Sequence, residues 1–234
     1  LNLVTTVLPG ADIMALFLCG SPRLNLRLFN EGVSVLRFDW THPRYRIWYP
    51  FVMKFRRLSR LEITATYSRF FKRFTPSPNF TTLTDLMLVL APPIDEKTAR
   101  CLDLPRAEGE QSLNMGETFP LLKKLVLRGF TVSTEFVEQL PSTLLHLELT
   151  MRGEGVPRYP YLVTSHLRAL PRSLTFLHLQ PHFDCSVPNI EALPPTLQTA
   201  ILSTKLKDET LELFPKSLTL LEAGTETLSA QSAV

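Results

Sequence analysis

The chain has 234 residues, 44% of them hydrophobic and 20% charged, with a formal net charge of +3. That length suits one sizeable domain or an elongated single-domain solenoid, and that apolar content excludes wholesale disorder. With 19 prolines against 9 glycines, the composition favours many short, sharply punctuated elements over Gly-rich phosphate loops.

Cys19, Cys101 and Cys185 are too scattered for a disulfide framework or a zinc pattern. They read as reduced, buried thiols, which implies a cytoplasmic or nuclear setting. No apolar run reaches the roughly 18–20 residues that span a bilayer, so no membrane partner is expected. Asp12 breaks the apolar first twenty residues and no basic residue precedes it, which counts against a secretion signal. A sequence that begins at Leu1 and not at Met is expected to be a fragment or a processed chain.

In chain order, residues 1–31 come first and stand apart. Leu8-Pro9, then Ile13, Leu16, Leu18, Leu24 and Leu28, suggest two short helices packed on the first repeat. Residues 32–234 carry one pattern throughout: an apolar residue, a short gap, then Leu-x-x-Leu-x-Leu. It appears as GVSVLRF (32–38), FRRLSRLEI (55–63), FTTLTDLML (80–88), FPLLKKLVL (119–127), LPSTLLHLEL (140–149), LPRSLTFLHL (170–179), LPPTLQTAIL (193–202) and FPKSLTLLEA (214–223). The anchors, at the first position of each closing Leu-x-Leu, are Leu36, Leu61, Leu86, Leu125, Leu147, Leu177, Ala200 and Leu221. Their spacing is uneven, running from 21 to 39 residues.

In Leu-x-Leu both leucines face one side of a short strand, and the residues around them face the other. One such strand cannot bury its apolar side alone, whereas stacked copies form a parallel sheet over a continuous leucine core. Leu-Pro ends the segment before each strand, because the residue before proline is pushed out of helical geometry. Ser142, Ser173 and Ser217 are read as one recurring turn position whose hydroxyls tie up local backbone groups. Between strands, 133–140, 164–170 and 208–214 are two-turn helix candidates that open on Ser, Thr or Asp and stop before Pro.

Two stretches interrupt the rhythm. The longest interval holds an insertion near 91–118, whose first half reads as helical and whose polar second half, 105–118, reads as a mobile loop. The other, 44–73, carries nine basic residues against Glu62 alone, so a basic first quarter offsets an acidic remainder. Arg44, Arg46, Lys54, Arg56 and Arg57 form its basic patch, interleaved with aromatics such as Tyr45, Trp48 and Phe55. Such a patch can bind nucleic acid or an acidic partner. Several of the aromatics fall at core positions of the repeat, however, which favours a solvated face or an acidic protein surface over nucleic acid. The last segment, 224–234, is small and polar, with no obvious capping helix.

The eightfold pattern resembles the leucine-rich repeat family, whose repeats run about 20–29 residues. These copies lack the Asn that usually follows the strand, and they look like the irregular, Pro-opened repeats of some eukaryotic proteins. The resemblance implies an α/β solenoid with parallel strands on a concave face and short helices or irregular turns on a convex face. Residues 8–33 also resemble a shortened F-box, the adaptor-binding helical motif that precedes such repeats in ubiquitin-ligase substrate receptors. Two readings of 1–31 therefore stand side by side: a helical cap that hides the leucine core, and a degenerate F-box-like segment that binds a ligase adaptor. In the second the protein is a substrate receptor.

No reaction chemistry is legible. There is no G-x-S-x-G elbow, no Walker-type loop, no GxGxxG and no convincing carboxylate pair. His146 and His178 fall on neighbouring strands, with His182, Asp184 and Cys185 close after His178, but Pro181 breaks any helix that would align His178 with His182 and no CxxC or HExxH spacing occurs. The expectation is a non-enzyme with no cofactor and no metal. Its partner is expected to be a protein, held on the concave strand face by the residues between and beside the leucines. Arg60, Glu62, Lys124, Arg128, His146, Glu148, Phe176 and His178 are the candidate contacts, with Phe176 at the centre as an aromatic anchor ringed by polar groups. The competing reading is that Phe176 packs on Leu145 or His146. Met87, Val126, Ile201 and Glu222 are expected exposed on the same face.

Overall fold

A computed structural model describes residues 34–40, 57–65, 78–90, 114–129, 134–150, 164–180, 186–202, 206 and 208–223. They build one sheet of eight strands: β1 (Val35–Trp40), β2 (Arg60–Ala65), β3 (Asp85–Leu90), β4 (Lys124–Arg128), β5 (His146–Thr150), β6 (Phe176–Gln180), β7 (Thr199–Leu202) and β8 (Leu220–Ala223). The strands lie side by side in chain order, and every neighbouring pair is parallel. The sheet is open, with one strand from each sequence repeat. This is the expected leucine-rich repeat solenoid.

The register explains the spacing of the leucines. Leu36, Leu61, Leu86, Leu125, Leu147, Leu177, Ala200 and Leu221 face one another in a single unbroken ladder. From Leu36 to Ala200 each is at most 1% exposed. A second inward row runs through Ile63, Leu88, Leu127, Leu149, Leu179 and Leu202, and a third, three residues before each anchor, through Leu58, Leu83, Leu122, Leu144, Leu174 and Leu197. Full burial of one such side chain is worth about 1.5–3 kcal/mol, so the stack as a whole supplies what no single repeat could. The 39-residue interval leaves the ladder intact: Leu86 pairs directly with Leu125. Leu221 is only partly buried, since among the described residues β8 has a neighbouring strand on one side alone.

A polar seam runs beside the leucines. The carbonyls of Ser34, Ser59, Thr84, Lys123, Leu145, Thr175 and Gln198 each accept two backbone N–H groups from the next coil. Hydroxyls reinforce the seam. Ser59, Thr84, Thr175 and Thr219 donate to the same carbonyls of the coil before. Two residues earlier in each coil, Thr82, Thr143, Ser173, Thr196 and Ser217 donate to the carbonyls of Leu58, Leu122, Leu144, Leu174 and Leu197 in the coil before. Two expectations change. The hydroxyls tie coil to coil and do not cap their own turn. The residue equivalent to Ser173 and Ser217 is Thr143, which sits four residues before its anchor as they do, while Ser142 is exposed one position earlier.

Short helices supply the other side of the core. They are α1 (Met115–Thr118), α2 (Thr134–Glu138), α3 (Thr164–Arg168), α4 (Val187–Glu191) and α5 (Asp208–Leu211). α2, α3 and α5 fall where the sequence places helices and stop before Pro141, Pro171 and Pro215. α1 corrects the reading of 105–118 as loop. The Asn114 side chain accepts the Glu117 N–H at 3.2 Å, and Met115 is buried, because one apolar residue with a cap suffices for a turn held by the sheet. α4 was not expected either: Ser186 precedes it in extended geometry, Pro188 lies in its first turn and Ile190 enters the core. Residues 1–33, most of the basic stretch, 91–113 and 224–234 lie outside the described residues, and so do the readings of a helical or F-box-like N-terminus and of the polar C-terminal end.

Candidate functional site: the open face of the sheet

With the leucines inward, the alternate residues form rows on the opposite face. One row reads Arg60, Asp85, Lys124, His146, Phe176, Thr199 and Leu220. The next reads Arg37, Glu62, Met87, Val126, Glu148, His178, Ile201 and Glu222. A third includes Thr64, Val89, Arg128, Thr150 and Gln180. All eight candidate contacts therefore share one face, as the alternation requires.

At the β1–β2 end, Glu62 is gripped from both sides. The Arg37 and Arg60 guanidiniums each approach its carboxylate to 2.5 Å. Both arginines are about half exposed, and Glu62 is mostly covered. Arg57 is exposed just before β2. Arg44, Arg46, Lys54 and Arg56, the rest of the basic patch, lie outside the described residues.

At the centre, the Glu148 carboxylate receives Arg128 through Nε and Nη2 at 2.8 Å each, and His178 Nδ1 stands 3.9 Å from it. Beside this pair the His146 ring lies flat on Phe176. Burial holds the His146 imidazole well below its usual range, at about 4, and Lys124 lowers it further while Glu148 and Asp85 oppose. Its Nε2 is shielded from solvent with no hydrogen-bond partner. Neutral imidazole fits that setting, since a proton there would be a poorly solvated charge next to a lysine.

Towards β8 the face turns apolar. Phe176, Ile201 and Leu220 stand on successive strands, two partly exposed and Leu220 47% exposed. Val126, expected on the surface, is in fact buried at 3%, in register between Met87 and Glu148 on the neighbouring strands. Leu220 was not among the expected contacts, though its place directly before the anchor Leu221 carried the signal. The Arg128–Glu148 pairing was not legible, because it joins strands 20 residues apart. Among the described residues no group of three His, Cys, Asp or Glu side chains is placed to hold a metal ion, and no helix is long and apolar enough to cross a membrane.

No family model matches the chain, and no curated protein matches it. Among solved structures it is similar to CroV588, described as a novel circular LRR protein, with a TM-score of 0.39 and 17% identity over 82% of this chain. The match covers 27% of CroV588, so this chain spans about a quarter of that protein's length. It is also similar to the leucine-rich repeat-containing protein LegL7 from Legionella pneumophila, with a TM-score of 0.33 and 14% identity over 94% of this chain and 89% of that one. What the chain itself displays, eight parallel strands on one leucine ladder, is the leucine-rich repeat architecture.

Proposed function

We propose that this protein is an interaction module that holds a protein partner on the open face of its sheet. One observation carries the reading: Phe176, stacked on His146, is partly exposed beside the Arg128–Glu148 pair, with Ile201 and Leu220 also partly exposed on the next two strands. An aromatic anchor ringed by polar groups is the composition that dominates interface energies. The leucine ladder already satisfies the fold, so nothing in the core requires a phenylalanine at that position. Nothing among the described residues favours a ubiquitin-ligase receptor role.

The test is affinity capture from native lysate with the whole protein as bait, comparing the natural chain with Phe176→Ala and with Lys216→Ala, an exposed residue away from this face. Proteins retained by the natural chain and by Lys216→Ala should be lost with Phe176→Ala while the melting curve of each variant still shows a folded protein. Equal retention by all three sinks the reading.

A further inference from the structure

We propose that the free edge of β8 is a second binding site, which takes a leucine-patterned strand of another protein as a ninth, parallel member of the sheet. The site is separate from the open face and does not rest on it.

The edge is unfinished in both of its layers. The inward rows are closed over at β7, where Leu197, Ala200 and Leu202 are 0% exposed, and they emerge at β8, where Leu218, Leu221 and Ala223 are only partly buried. The other end of the ladder is not open in this way, since Leu36 on β1 is fully buried. The polar seam stops at the same place. Each of its carbonyls, up to that of Gln198, accepts two N–H groups from the coil that follows. Thr219 is next in the series, and among the described residues its carbonyl accepts none. Leu218 follows Leu197, whose carbonyl takes the Ser217 hydroxyl, and among the described residues no hydroxyl reaches it. Unpaired carbonyls beside partly exposed leucines are a template for strand addition.

The contacts already made between coils define the occupant. Counting from its first inward Leu, the matching strand has another Leu two residues later, to extend the rows of Leu221 and Ala223, and one three residues earlier, to cover Leu218. The N–H groups one and two residues before that Leu go to the Thr219 carbonyl, as those of Thr219 and Leu220 go to Gln198. Ser or Thr two and four residues before it repeats the roles of Thr219 and Ser217. Charge adds one more requirement. Glu222 stands one residue after its anchor, exposed, with no cation facing it among the described residues. Arg37 and Glu62 hold the corresponding positions on β1 and β2, and there the guanidinium reaches the carboxylate across the strands. A basic residue directly after the incoming Leu meets Glu222 in the same way. The full pattern is Ser/Thr, Leu, Ser/Thr, any residue, Leu, Arg/Lys, Leu. Residues 224–234 contain no Leu-x-Leu. A second copy offers no free strand of this kind either, because β2–β7 each have two neighbours and Leu36 is buried.

The probe is a fluorescein-labelled peptide, LPRSLTFLRLQ, which is the sequence of 170–180 with Arg in place of its one His. Anisotropy with the whole protein should show saturable binding. Methylating the two backbone nitrogens that meet the Thr219 carbonyl, those of the peptide's Thr and Phe, should weaken it about tenfold or more. Moving the last two leucines by one position, which turns them to the other side of the strand, should do the same. Glu in place of the peptide's second Arg should weaken binding about threefold, and Glu222→Arg in the protein should reverse that preference. Glu222 is exposed and the methylated peptide leaves the protein unaltered, so no arm depends on a variant that fails to fold. No binding, equal binding of the methylated or shifted peptide, an unreversed preference in Glu222→Arg, or a dimer of the protein that the peptide splits would overturn the proposal.

Discussion

The ring of His146 lies on the ring of Phe176 with centroids 3.9 Å apart and planes within 3° of parallel. The two residues are 30 positions apart in sequence and directly opposite in the register of β5 and β6. The stack covers one side of each ring, and His146 Nε2 is buried with no hydrogen-bond partner.

Acid should therefore weaken the fold through His146. In the unfolded chain its imidazole takes up a proton near pH 6.5, and in the folded protein only near 4. The folded state prefers the neutral ring, so this contribution is complete above about 6.5 and is lost as the pH falls from there to about 4. Lys124 and His178 act with burial in this direction, and Glu148 and Asp85 oppose it. Urea midpoints measured down that range should fall for the natural chain. His146→Phe, which keeps a ring on Phe176 but cannot titrate, should flatten that part of the profile. An unchanged slope would place the acid sensitivity elsewhere.

The central ladder should be intolerant of truncation. Leu147 is fully buried between Leu125 and Leu177. Leu147→Ala is expected to cost about 2–5 kcal/mol, the transfer of the lost methyl groups plus the cavity left behind. In a solenoid each coil leans on its neighbours, so denaturant unfolding should also become less cooperative. Leu221→Ala at the partly buried end of the ladder should cost clearly less.

The hydroxyl seam can be tested at adjacent residues. Ser142 and Thr143 are both exposed, but Thr143 donates to the Leu122 carbonyl at 3.0 Å. Thr143→Val keeps the shape and removes the donor, and should cost about 1 kcal/mol in denaturant stability. Ser142→Ala should stay within about 0.5 kcal/mol. Equal effects would mean that the hydroxyl bond between coils contributes nothing net.

The Arg128–Glu148 pair should matter more for recognition than for folding. Arg128 is half exposed, so solvent screens the pair, and a double-mutant cycle with Arg128→Gln and Glu148→Gln should give a coupling of about 1 kcal/mol or less. A larger coupling would make the pair a structural element of the sheet.

Much of the fold was legible in the sequence, and the reason is local. Leu-x-Leu dictates which side of a strand is apolar, and the recurrence of the pattern identifies strands that must share a core; the eight anchors read from spacing alone are the eight residues that meet in one ladder. The helix starting at Met115 was missed because four residues give no period to read. Val126 was misplaced because alternation assigns a face and says nothing of how exposed a side chain on that face is. Ser142 was mistaken for Thr143 because two hydroxyl residues stand side by side and only the partner carbonyl distinguishes them.

By itself, then, the order of residues determined the repeat, the inward leucines, the strand direction and the roster of side chains on the open face, since all of these follow from the two-residue period of an extended chain. Only the tertiary structure decided which of those side chains meet. Arg37 with Arg60 on Glu62, Arg128 on Glu148 and His146 on Phe176 are contacts within the sheet, and all but one of them reach from one strand to the next. Contacts between strands depend on register and on rotamers chosen among competing neighbours, and no spacing along the chain encodes them.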